Sequence, residues 1–166
     1  MPSLNPERVA TPLHPGPTPH GVRVNWYVRL SLLGVGVLLV AIFGVAAWLK
    51  PYDEAGQPRT MATHTQLGVP SCNFLVWTGK PCPSCGMSTS FALLVRGDVR
   101  ASLKANWVGT LIAILWAVLL PWAFASAWLG RFLFIPRGRG EIIATGIVGV
   151  LLILMLARWG VVLLSP

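Results

Sequence analysis

The sequence predicts an all-α integral membrane protein, with three transmembrane helices and a short interfacial helix carrying a Cys-x-x-Cys knuckle. Two observations set this class. Of the 166 residues, 54% are hydrophobic and 11% charged, against roughly 25% charged in an ordinary soluble domain. The apolar residues are also gathered into three runs, 30–49, 107–129 and 142–164, interrupted only by Pro121 and Arg158. Each run meets the ~20 residues that a helix needs to cross the hydrocarbon. With no water there to satisfy backbone N–H and C=O groups, such runs close their hydrogen bonds internally as helices.

In chain order, residues 1–25 are polar, hold Pro2, Pro6, Pro12, Pro15, Pro17 and Pro19, and show no hydrophobic period. They read as a disordered tail, with His14 and His20 as solvated tail residues. Residues 28–166 read as a single membrane domain. Trp26 and Tyr27 on one side of the first span, and Trp48 and Tyr52 on the other, mark the two interfaces. Gly34, Gly36 and Gly44 leave small surfaces for the approach of another helix. The span lies too far into the chain, and lacks a small-residue cleavage site, for a removed signal peptide. It reads as an anchor.

Residues 50–106 form the cysteine-bearing segment. The short apolar stretches 67–69 and 74–77 are expected on the membrane surface or against the bundle. From Pro83 onward, Met87, Phe91, Leu94 and Val95 recur at helical spacing. Pro83 suits a first helical position, Gly97 a helix end and Asp98 the cap of the next helix. That next helix is expected to run from Val99 without a break into the second span, bending at Pro121. Ser88, Thr89 and Ser90 are expected to cap the helix after the knuckle and bond to its backbone. Arg131, Arg137 and Arg139 make a short basic loop, and Arg158 is placed to snorkel to the interface. There is no internal repeat of the kind an inverted-repeat transporter carries.

The net charge of +8 is scattered beside apolar segments, where lipid headgroups are the partners. No basic stripe interleaved with aromatics is present, which argues against nucleic acid. Arg8, Arg23, Arg29, Arg131, Arg137 and Arg139 oppose Lys50, Arg59, Lys80, Arg96, Arg100, Lys104 and Arg158 across the predicted membrane. The short loop at 131–139 is the densest basic cluster. It predicts the N-terminus inside and the cysteine loop extracytoplasmic.

The chemistry rests on Cys72, Cys82 and Cys85, the three cysteines of the chain. Three readings compete. Cys82 and Cys85 are two soft ligands; Cys72 lies ten residues before Cys82, and His64 eight before Cys72, which completes a Cys3His set for tetrahedral zinc. Alternatively, Cys82 at a helix start is a low-pKa nucleophile, with Cys85 resolving, in a thiol–disulfide oxidoreductase. In the third reading one disulfide staples an extracytoplasmic loop. No Ser-His-Asp arrangement, phosphate loop or H-E-x-x-H motif occurs, and no carboxylate pairs with Asp98. The chain therefore reads as a non-enzymatic membrane protein whose knuckle binds a metal or forms a partner-docking surface. A structural subunit of a membrane complex is the third alternative.

The string Leu67-Gly68-Val69-Pro70-Ser71-Cys72, Thr78-Gly79-Lys80-Pro81-Cys82-Pro83-Ser84-Cys85-Gly86-Met87-Ser88-Thr89, then Gly97-Asp98 and Ala105-Asn106, resembles a bacterial membrane family. It is domain-of-unknown-function family 2752, in its branch with hydroxyl residues after Cys-Gly-Met. The family pattern often has arginine where this chain has Thr89, and proline where it has Trp107. The resemblance implies a small multi-pass protein of the bacterial inner membrane and brings no established activity.

Overall fold

The computed structural model describes residues 24–133 and 139–164. The tail with His14 and His20, together with Arg8, Arg23 and Arg137, lies outside the described residues. In order come α1 (Trp26–Trp48), a 3₁₀ turn (Thr63–Leu67), α2 (Asn73–Thr78), α3 (Met87–Val95), α4 (Val99–Leu129) and α5 (Gly140–Leu164). Among the described residues there is no strand; an isolated bridge joins Tyr52 and Pro58. Helices α1, α4 and α5 are each long and apolar enough to cross a membrane. The protein is an all-helical membrane protein.

Helix α1 begins at an Asn25 cap, whose side chain accepts from the Trp26 N–H at 2.7 Å. It then lies along α4, where small residues permit close approach. A Cβ on Gly36 would stand 2.8 Å from the Phe124 ring, and the facing Ala113, Ala123 and Ala127 are buried. Arginines finish both ends of this pair by donating to helix C-terminal carbonyls that have no partner within their own helix. Arg29 Nε reaches the Ala127 carbonyl at 2.9 Å. At the other end, Arg96 reaches Ala46 at 3.3 Å and Ala47 at 2.9 Å.

Helix α3 differs from the one-sided helix its spacing implies. Thr89 through Leu93 are buried in an unbroken row. The apolar side meets α1 and α4 through Phe91, which packs on Phe43 (centroids 5.9 Å) and edge-on to Trp116 (5.6 Å). The hydroxyl side is equally enclosed, because α4 answers it with polar groups of its own.

Helix α4 is broken where continuity was expected. Asn106 has extended backbone, φ −160° and ψ 100°, while Pro121 keeps helical dihedrals. The break is local because the Asn106 side chain supplies what the helix loses. Its Oδ1 accepts from the Gly109 N–H at 3.0 Å and so caps the membrane-crossing half.

Helix α5 has no buried residue, and the bundle holds it by its C-terminal end. Trp159 Nε1 donates to the Pro81 carbonyl at 3.1 Å and its ring meets Phe74 edge-on at 5.7 Å. Lys80 Nζ donates to the Leu163 carbonyl. Arg158, expected to snorkel to the interface, donates to the Ala105 carbonyl at 3.3 Å. That carbonyl, next to the break in α4, is open to an outside donor.

Candidate metal centre

The knuckle is a turn, not the first turn of a helix. The Cys85 N–H donates to the Cys82 carbonyl at 3.1 Å and the Met87 N–H to the Ser84 carbonyl at 3.1 Å. Pro83 thus sits in this turn, and α3 starts only at Met87. Gly86 separates the two with φ +84°, a left-handed conformation that glycine adopts without penalty. A Cβ there would lie 2.7 Å from the Ala105 carbonyl oxygen and 2.9 Å from that of Thr60. The chain passes between two backbone segments where only hydrogen fits.

Cys72 precedes α2, and its carbonyl accepts the Val76 N–H at 3.1 Å. The Phe74 and Pro81 contacts to Trp159 fold this segment back over the knuckle. The three sulfurs consequently lie within 4.8 Å of one another. Cys82 and Cys85 Sγ are 3.1 Å apart, the Cys82 N–H donates to Cys85 Sγ at 3.2 Å, and Ser84 Oγ is 3.3 Å from Cys82 Sγ. All three thiols are free and partly exposed. Burial opposes ionisation of Cys82, but the hydrogen bonds from Ser84, Cys85 and Cys72 outweigh it and bring its pKa down to about 7. Burial and then the neighbouring Cys82 push Cys85 up to about 12. One proton held between two sulfurs produces this split.

A buried polar network supports the turn from below. Asn106 Nδ2 donates to the Cys85 carbonyl at 3.1 Å. Thr63 and Thr89 hydroxyls meet at 2.7 Å, and Ser102 and Thr110 at 2.7 Å. Ser102 Oγ also reaches the Ser90 carbonyl at 2.8 Å, and Thr110 Oγ1 the Asn106 carbonyl at 3.0 Å. Thr63, Thr89, Ser90, Ser102, Asn106 and Thr110 are all at most 1% exposed, so each hydroxyl or amide depends on these partners.

The residues singled out from the sequence thus divide. Gly97, at φ +81°, follows α3, and Asp98 caps α4 through the Ala101 N–H at 3.0 Å. Thr89 is spent on Thr63 and does not cap its helix; Ser90 Oγ donates back to the Met87 carbonyl at 2.8 Å. Ser88 and His64 line a cavity beside the thiols, and His64 stands outside the group of three sulfurs. Thr63, Ser102 and Thr110 were not singled out, and Arg158 was read as an interface residue, not as part of the site. Nothing local distinguishes a buried serine or threonine from a solvated one. Arg158 lies within charge interaction of both Cys82 and Cys85. A cation therefore does stand near the knuckle, brought by α5 although position 89 is threonine.

Fold and site together define a three-span helical membrane protein with a three-cysteine cluster at the end of its bundle. Residues 72–120, from the first cysteine into α4, match the model of the family described as Protein of unknown function (DUF2752). This is the family that the cysteine string resembles. No curated protein and no solved structure matches the chain.

Proposed function

We propose that Cys72, Cys82 and Cys85 bind a zinc ion, which fastens the cysteine segment to the bundle as a docking surface for a membrane partner. The observation that carries this reading is the meeting of three thiols from two separate stretches within 4.8 Å of one another. Tetrahedral zinc with bonds of about 2.3 Å asks for sulfurs about 3.8 Å apart, a rearrangement of about 1 Å or less. The Cys82 N–H aimed at Cys85 Sγ suits an anionic sulfur. His64, which lines the adjoining cavity, is the chain's candidate for the fourth position. The protein acts in this reading without chemistry of its own, in a bacterial inner membrane. Its basic loop and N-terminus face inward and the cysteines outward.

A second reading, thiol–disulfide exchange, draws on the 3.1 Å approach of Cys82 and Cys85 and their divided proton affinities. Oxidation would join the two sulfurs and release two electrons and two protons to an acceptor. The two readings separate on protein purified anaerobically in detergent, with zinc measured by mass spectrometry and thiols counted on the same sample. About one zinc per chain, lost in Cys72→Ser, Cys82→Ser and Cys85→Ser alike, is the expected result. Absence of metal, with a Cys82–Cys85 disulfide that persists in Cys72→Ser, would overturn the metal reading in favour of exchange.

A further inference from the structure

The thiols line a cavity of about 610 Å³, far more space than a coordinated ion needs and within the range of small-molecule sites. Ala41, Ile42 and Val45 of α1, Phe91 of α3 and Trp116 of α4 line it. His64, Ser84 and Ser88 line it together with the cysteines and are its polar groups beside Ser71. None of the residues lining it is Asp, Glu, Lys or Arg. An ionised headgroup drawn into it would lose its hydration with no charged side chain on the lining to receive it, since Arg158 acts on the thiols from outside that lining. Phe91, buried, meets the half-buried Trp116 edge to face at 5.6 Å, and this pair, through Trp116 above all, offers aromatic surface to a flat ring. Ala41 and Val45, in the second half of α1, line the cavity and are exposed, so the cavity borders a helix long and apolar enough to cross the membrane.

From this we infer that the cavity binds a neutral, ring-bearing lipophile of the bilayer, of the quinone class. Its ring packs against Phe91 and Trp116, and its carbonyl oxygens accept hydrogen bonds from His64, Ser84 and Ser88. This goes beyond the metal reading and does not depend on it. Neutrality follows from the uncharged lining, the ring from the paired aromatics, and the source from the position beside a membrane span.

The test uses the full chain in phosphatidylcholine nanodiscs, titrated with decylubiquinone while tryptophan fluorescence is followed. Saturable quenching that ends near one quinone per chain is expected, with its saturable component lost in Trp116→Phe. Ala41→Phe, which adds bulk to the α1 wall of the cavity, is expected to weaken binding at least tenfold; Val45→Phe tests the same wall if that variant misfolds. Palmitate, as apolar but charged, is expected not to compete. Quenching that rises linearly without saturation, as free partitioning into lipid would give, overturns the proposal in the wild-type protein alone. So does equal competition by palmitate, or unchanged binding in a folded wall variant. Zinc is measured on the same samples. Saturable binding without zinc would sink the metal reading and leave this one standing, and zinc without saturable binding would do the reverse.

Discussion

Replacing Asn106 is the sharpest test of how the bundle holds the knuckle. Its side chain makes two bonds at a site 1% exposed, one to the Cys85 carbonyl and one from the Gly109 N–H. Asn106→Ala removes a helix cap, worth about 1 kcal/mol, and strands a carbonyl away from water, costing about 1–3 kcal/mol. The expected loss is about 2–4 kcal/mol, which for a chain of this size lowers Tm by roughly 4–16 °C. Asn106→Ser separates the two parts. Serine is an equally good cap, but its hydroxyl is too short to reach Cys85, so about 1 kcal/mol should be recovered. Thermal unfolding in one detergent at fixed concentration, followed by circular dichroism, reads both variants. Zinc affinity should fall in both, because the turn that sets Cys85 loses its tether. An alanine variant within about 1 kcal/mol of wild type would refute the reasoning and show that the backbone alone sets the break in α4.

Other outcomes follow from the same network. Gly86→Ala should be far more damaging than Gly79→Ala. Both glycines have positive φ, but a Cβ at Gly79 meets nothing within 4 Å, whereas one at Gly86 meets two carbonyl oxygens. Gly79→Ala should therefore cost only the left-handed strain of about 1–2 kcal/mol, with unfolding measurements giving the comparison. Thr63→Val leaves the Thr89 hydroxyl buried without its 2.7 Å partner and should cost about 1–3 kcal/mol. The double variant Thr63→Val/Thr89→Val should recover most of that, and a double-mutant cycle with additive losses would count against the bond. In metal-free protein, the thiolate of Cys82 forms as pH rises through about 7 while Cys85 holds its proton until about 12. Iodoacetamide should thus modify Cys82 at a rate rising about tenfold per pH unit below 7 and levelling above it. A midpoint near the ordinary 8.5 of a free thiol would contradict the hydrogen-bonded cluster.

What the chain determines locally was legible in its sequence. A bilayer span is a matter of length and continuous apolarity, so α1, α4 and α5 coincide with the three apolar runs to within a few residues at most ends. Gly97 and Asp98 were readable because a helix end and a cap depend on a residue's own backbone and its near neighbours. The nearness of Cys82 to Cys85 followed from their spacing. The joining of Cys72 to that pair was decided elsewhere, by α2 folding back under Trp159, which comes from a helix far along the chain. The same holds for the break at Asn106, where an asparagine inside a helical pattern carries no sign that its amide will cap the span beyond it and hold the Cys85 carbonyl. The enclosure of α3, the approach of Arg158 to the thiols and the cavity beside His64 arise in the same way. Each places a polar or cationic side chain among partners distant in sequence. Residue type states which hydrogen bonds such a group must find, and only the tertiary packing selects the group that meets them.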